Sequence, residues 1–134
     1  MVQYIQVPKY LEMDYNRPKN VKPVQYGTAG FRGPSMCGEL NFVTHRTGCL
    51  AALRSRKVNL ATGLMITASH NPIGDNGVKV TEPFGEMLVP DWEGVATRLT
   101  NSCDLDNDIS LVLKEEDISN AEGVVIIGRD TRFT

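Results

Sequence analysis

The sequence predicts an α/β fold in which a mixed, largely parallel sheet is packed between helices, and three observations predict it. Segments with helical apolar spacing alternate with short aliphatic runs. Each aliphatic run ends in a loop of small and charged residues. Glycine is plentiful, 12 in 134 residues, as a sheet with many tight connections requires. The length suits one domain able to bury a core without disulfide staples.

The elements follow in order. Residues 1–24 set Pro8, Pro18 and Pro23 among Tyr4, Tyr10, Leu11, Met13 and Tyr15 without a regular period. An irregular arm with one short helical turn is expected there, its aromatics packed on a body formed by residues 25–134. QYGTAGFRG, residues 25–33, holds three glycines in seven positions and reads as a tightly curved loop. Over residues 41–57, Phe42, Val43, Leu50 and Leu53, with Cys49, Ala51 and Ala52, suit an amphipathic helix. Asn41 is its expected cap, and Arg54, Arg56 and Lys57 suit the negative end of its dipole. Gly48 inside it costs about 1 kcal/mol against alanine, which points to close packing against the sheet.

Residues 63–68 read as a buried strand that feeds into the turn SHNPIGDN. Residues 78–88 alternate loosely and contain Pro83 and Gly85, so a hairpin or irregular excursion is expected. After Pro90, Trp92, Val95, Ala96 and Leu99 form one apolar stripe of a second helix. Leu105, Ile109, Val112 and Leu113 mark a third, ahead of Glu115, Glu116 and Asp117. GVVIIGRDTR, residues 123–132, is a final aliphatic strand stopped by Gly128. A parallel sheet normally buries both faces, and no helix follows GRDTR, so the expectation is a domain cut short.

Bulk properties exclude several function classes. The net charge of −2 gives no general attraction to nucleic acid or to an anionic membrane. The first residues lack a charged-then-apolar leader pattern, and no apolar stretch approaches the roughly 20 residues of a membrane helix. Cys37, Cys49 and Cys103 are odd in number and lack CxxC spacing, which suits free thiols in a reducing compartment, with the cytosol as default.

In open α/β sheets ligands gather beyond the carboxyl ends of the strands, and both TASHNP and GRDTR fall at such ends. Ser69 is the candidate nucleophile, presented by a sharp turn in which Pro72 holds Asn71 extended. His70 is a candidate for proton transfer or for a hydrogen bond to phosphate, and Asn71 for orienting the same loop. Taken alone, such a turn more often serves local hydrogen bonding. A hydrolase triad is disfavoured, because neighbouring residues of extended chain point apart and GxSxG is absent.

Lys79 follows Asn76-Gly77, a turn-forming pair expected to fold it back toward Ser69, where its ammonium neutralises phosphate or exchanges a proton. Alone, a lysine is usually a solvated surface residue. Arg32 stands in a glycine loop whose backbone N–H groups, around Thr28 and Gly30, suit an anion, and its guanidinium suits phosphate. TAGFRG is neither a Walker A sequence nor GxGxxG between strand and helix. Asp130 and Arg132 either pair with each other or cap a following helix.

The succession TAGFRG, TASHNP, DNGVK and GRDTR, spread over residues 25–132, resembles the first domain of the α-D-phosphohexomutase superfamily. The wording QYGTAGFR, RTGCLAALRS and DNGVKVTEPFGEML is similar to its eukaryotic phosphoacetylglucosamine mutase branch. The resemblance implies that Ser69 carries a phosphoryl group held with Mg²⁺ and exchanges it with a sugar monophosphate through a bisphosphate. It implies Ser69 as a metal ligand, Lys79 and His70 in proton transfer, Arg32 on phosphoryl charge, and Thr28, Gly30 and Asn71 in phosphate binding. The implied substrates are N-acetylglucosamine 6-phosphate and 1-phosphate, on the route to UDP-N-acetylglucosamine.

Members of that superfamily have four domains, and their DxDxDR metal loop, GE-type sugar loop and Arg-Ser-Gly-type phosphate loop do not occur in this sequence. The remaining three domains are therefore the implied partners, and this stretch alone is expected to be inactive. A non-enzymatic phosphosugar-binding or interaction fragment, or a mutase for another hexose phosphate, are the alternatives.

Overall fold

A computed structural model describes residues 15–33, 38–119 and 122–132. Part of the expected arm (residues 1–14), Cys37 and the last two residues lie outside these. Helix α1, Leu40–Val58, extends the expected helix by one residue at each end. Its cap position is taken by Glu39 without a side-chain hydrogen bond, and Asn41 lies exposed inside the first turn rather than capping it. The chain has already turned at Gly38, whose φ is +89°, so the helix begins before Asn41. At the other end Asn59 adopts a left-handed φ of 55° and returns its N–H to the Ser55 carbonyl. Arg56 and Lys57 lie in the last turn as the dipole favours, donating to the Ser119 and Glu116 carbonyls at 2.6 and 2.5 Å. Gly48 departs from expectation: a Cβ there meets nothing within 4 Å. It borders an open groove with Leu40, Thr44 and Ile127, so no close packing explains this glycine.

Strands β1 (Thr62–Thr67), β2 (Gly77–Thr81) and β3 (Val125–Arg129) form a sheet in the order β2-β1-β3. The sheet is mixed. β1 runs parallel to β3, with Thr62 opposite Val125 and Ile66 opposite Arg129, and antiparallel to β2, with Gly63 opposite Thr81 and Thr67 opposite Gly77. Thr62 and Leu64 are buried toward α1, and the Thr62 hydroxyl donates to the Ala51 carbonyl at 2.9 Å.

The reversal between β1 and β2 is longer than the expected Asn76-Gly77 turn. Residues 68–76 make it, with a 3-10 turn at Ile73–Asp75, and Asn76 is extended at φ −57°, ψ 148°. Gly77 already belongs to the strand, where a Cβ would stand 2.2 Å from the Phe31 carbonyl oxygen. The glycine is thus required by chain crossing, not by turn geometry.

The outer edge of β2 is sealed by residues 26–31. Phe31 and Val78 exchange backbone hydrogen bonds at 2.9 Å each, and the Val80 N–H donates to the Tyr26 hydroxyl at 2.9 Å. Tyr26 and Phe31 are both buried and meet edge to face at 5.1 Å. Past β2 the chain makes the expected hairpin-like excursion: Thr81 bridges Met87, and Gly85 supplies a φ of +91°.

Helix α2, Pro90–Asn101, opens on proline with Asp91 and Glu93 in its first turn, and buries Trp92, Ala96 and Leu99. Its carboxyl end is closed from α1: buried Arg46 donates to the Leu99, Thr100 and Ser102 carbonyls at 3.2, 3.0 and 2.6 Å. Helix α3, Leu105–Glu115, is capped by Asp104, which accepts from the Asn107 N–H at 3.2 Å, and buries Val112. α1 lies across the sheet, α2 packs on α1 and α3 on α2. Arg54 and buried Glu82 pair at 2.9 Å, and the Arg54 guanidinium lies 5.1 Å from the Trp92 ring centre, so one cation joins α1, the turn after β2, and α2.

Among the described residues no helix is long and apolar enough to cross a membrane, and Cys49 and Cys103 are free. Replacing Tyr26 by phenylalanine keeps the buried ring and orphans the Val80 N–H. A loss of about 1–3 kcal/mol is expected, measured by chemical denaturation.

Candidate active site

Because β1 and β3 run parallel in register, the loops that leave them emerge side by side, and the Asp130 N–H donates to the Ile66 carbonyl at 3.2 Å. On the sheet face turned away from α1 lies an open cleft of about 620 Å³. Thr67, Ser69, Lys79 and Asp130 line it, over a floor that includes Gly63 and Gly128. The cleft runs along the face from Gly63 and Thr81, and its Ser69 and Asp130 end reaches the carboxyl ends of β1 and β3, the position ligands favour in α/β sheets.

Ser69 is exposed and sits at φ 58°, in the left-handed region. For a residue with a Cβ that conformation costs about 1–2 kcal/mol, so neighbouring contacts must hold it. Its N–H donates to the Thr67 hydroxyl oxygen at 2.8 Å, and the Thr67 hydroxyl donates to Asp130 Oδ2 at 3.2 Å. Arg132 takes the other side: its Nη2 reaches the Ser69 carbonyl at 3.0 Å and its Nη1 the Asn71 carbonyl at 2.5 Å. The Asn71 N–H closes the turn on the Ala68 carbonyl at 3.0 Å.

Arg132 is also paired with Asp130, through Nε at 3.1 Å and Nη2 at 2.7 Å. The hydrogen-bonded guanidinium holds the Asp130 carboxyl below the ordinary carboxylate range, with the Thr67 hydroxyl adding to the effect. Of the two sequence readings for these residues, the mutual pair is the one found. The grip of Arg132 on the serine loop goes beyond both readings and joins GRDTR to TASHNP at the sheet edge they share.

Lys79 reaches the cleft as the antiparallel partner of Met65. Gly30 lies directly over it: a Cβ at Gly30 would stand 2.3 Å from the Val78 carbonyl oxygen and 2.7 Å from Lys79 Cβ, and φ there is +82°. Glycine alone lets this loop cross β2 so closely. Thr28 is exposed at the tip of the turn closed by Gly27 and Gly30, and His70 is exposed beside Ser69. Arg32 is placed differently. Its Cα lies against Gly77, whose Cβ position would be 3.0 Å away, but its side chain lines a neighbouring groove of about 400 Å³ with residues 20–25 and Glu39. Its Nε is buried without a partner.

A magnesium ion wants about six oxygen ligands in octahedral geometry. Among the described residues no three His, Cys, Asp or Glu side chains converge on one point, and the Asp130 carboxylate is engaged by Arg132. Ser69 with a phosphate would give oxygens on one side alone, so these residues do not make a complete magnesium site.

Residues 47–105 match the family described as phosphoglucomutase/phosphomannomutase, alpha/beta/alpha domain I. Phosphoacetylglucosamine mutase of Homo sapiens is 48% identical over 116 residues, covering 81% of this chain and 20% of that protein. The crystal structure of N-acetylphosphoglucosamine mutase of Aspergillus fumigatus in complex with GlcNAc-6P and magnesium superposes with a TM-score of 0.76 at 45% identity, over 87% of this chain and 22% of its own. A structure of the same fungal enzyme as a serine-to-alanine variant with glucose 1,6-bisphosphate gives 0.80 at 43% identity, over 88% of this chain and 22% of its own. The chain thus spans about a fifth of the length of these relatives.

The backbone at position 69 yields a direct check. Ser69→Gly should be more stable than Ser69→Ala by about 1 kcal/mol, since the left-handed φ penalises any Cβ; equal denaturation midpoints would contradict the strain.

Proposed function

We propose that the chain is the catalytic-serine domain of a phosphoacetylglucosamine mutase, a reading supported by the match of residues 47–105 to the domain I family and by the likeness to phosphoacetylglucosamine mutases. The observation that carries the proposal is Ser69, exposed in a strained turn at the sheet's carboxyl edge, on a cleft that Lys79 also lines. Phosphoryl transfer asks chiefly for positioning and charge neutralisation, and a rigid turn facing a cation provides both.

In this reading phosphorylated Ser69 donates to a hydroxyl of N-acetylglucosamine 6-phosphate or 1-phosphate. The bond from phosphorus to Ser69 Oγ breaks as the bond to the sugar oxygen forms, and the hydroxyl proton passes through Lys79 or His70 to Ser69 Oγ. The bisphosphate then turns over and returns its other phosphoryl by the reverse step. Arg32 approaches the phosphate from the adjoining groove, while Asn71 and the loop carrying Thr28 and Gly30 wall the site. Magnesium, when bound, neutralises phosphate charge; in the whole protein its remaining ligands and the groups that select the sugar belong to the three further domains. We place the protein in the cytosol, in keeping with the free Cys49 and Cys103.

The full-length protein should show one phosphoryl group on Ser69 by mass spectrometry after incubation with a labelled sugar bisphosphate. Ser69→Ala should lose that label and about 10⁴-fold or more in turnover, and Lys79→Ala about 10²-fold or more. An unlabelled Ser69, or full activity in the alanine variant, would refute the assignment. The 134-residue chain alone should have no measurable turnover with magnesium supplied.

A further inference from the structure

Both backbone polar groups of Ser69 are held by one closed circuit of hydrogen bonds. From the Ser69 N–H it runs to the Thr67 hydroxyl, on to Asp130 Oδ2, across to the Arg132 guanidinium, and back to the Ser69 carbonyl. Two members come from the end of β3, 63 residues along the chain from those they hold. A second arm of the same guanidinium fixes the Asn71 carbonyl, so Arg132 ties down the peptide units that follow Ser69 and Asn71, while the Asn71 N–H ties the one between them to the Ala68 carbonyl.

We propose that Thr67, Asp130 and Arg132 are positioning residues for phosphoryl transfer, a circuit that keeps Ser69 in its left-handed conformation and so aims its hydroxyl into the cleft. The proposal rests on the reading of Ser69 as the phosphoryl carrier. Three features support positioning over substrate contact. The Arg132 charge is answered within the circuit by Asp130, at 2.7 Å, so it is not offered to an incoming anion. Its Nη1 and Nη2 both point to loop carbonyls, which only a donor can satisfy. The conformation being held is one that a serine does not keep unaided. Arginine suits the task where lysine would not, since a planar fork can serve a carboxylate and two carbonyls together.

The test uses Arg132→Ala, Arg132→Lys and Thr67→Val in the full-length protein, with two readouts. Misplacing a reacting group by about 1 Å costs on the order of 10²-fold in rate. Arg132→Ala should therefore lower kcat about 10²-fold while KM for the sugar phosphate moves less than about twofold. Added guanidinium should restore part of the loss, and Arg132→Lys should stay impaired. Thr67→Val, nearly the same shape without the hydroxyl, should lower kcat about tenfold and stands in should Arg132→Ala not fold. Hydrogen exchange is the second readout: the amides of Ser69 and Asn71 should exchange faster in each variant while those of Val78 and Val80 keep wild-type protection.

Raised KM with unchanged kcat would make Arg132 a substrate ligand and overturn the proposal. Unchanged kcat with a loosened loop would overturn it as well, as would unchanged exchange at Ser69. If wild-type protein never labels at Ser69, the reading of that residue as carrier fails by itself, and the exchange data still decide whether the circuit holds the turn.

Discussion

The in-register parallel pairing of β1 with β3 is the constraint from which the rest of the site follows. With Ile66 opposite Arg129, the next residues of each strand leave the sheet at one edge, and Asp130 meets Thr67. A slip of one residue would turn Asp130 to the face that carries α1 and leave the serine loop without its anchor. The register is secured by burial: Thr62 and Leu64 enter the core beneath α1, and exposing that pair would forfeit both apolar area and the hydrogen bond to Ala51.

Around this pairing the chain uses missing side chains as deliberately as present ones. At Gly77 and Gly30 the loop of residues 26–31 crosses β2 so closely that any Cβ would collide with backbone oxygen at 2.2 and 2.3 Å. That crossing seals an edge which would otherwise invite further strands, and it brings the glycine loop over Lys79. Behind the sheet, buried arginines do what a larger core would do in a bigger domain. Arg46 closes the end of α2 by turning one guanidinium nitrogen, Nη1, to three carbonyls, and Arg54 spans three segments through Glu82 and the Trp92 ring face.

Much of this was legible in the sequence, and the failures have physical causes. The three helices and the strands at 62–67 and 125–129 declared themselves through apolar spacing; α1 and β1 came within one residue at each end, whereas Gly128, read as the stop of the last strand, lies inside it. Asn41 misled because a good capping residue is indistinguishable from a first-turn residue until the turn before it is known. Asn76-Gly77 misled because its glycine answers a distant Phe31 carbonyl, which no local pattern records. Ser69 and Lys79 line one cleft as the expected chain reversal would have it, although residues 68–76 make that reversal and not the Asn76-Gly77 pair. The hold of Arg132 on residues 69 and 71 was not legible, because it depends on register between strands about 60 residues apart in the chain. Arg32 was read only as a member of the glycine loop; that its Cα lies against Gly77 and that it lines the adjoining groove follow from the crossing of that loop over β2, which no local pattern records.

The left-handed geometry at position 69 also bears on which alcohol can occupy it. Threonine offers the same chemistry, yet a β-branched side chain at φ near +60° is a genuine steric outlier. A hydroxyl carrier in this turn would accordingly be confined to an unbranched one. Aspartate visits this region several times more readily than most residues and can carry a phosphoryl group as an acyl phosphate, so the backbone here would admit it as a chemically different carrier.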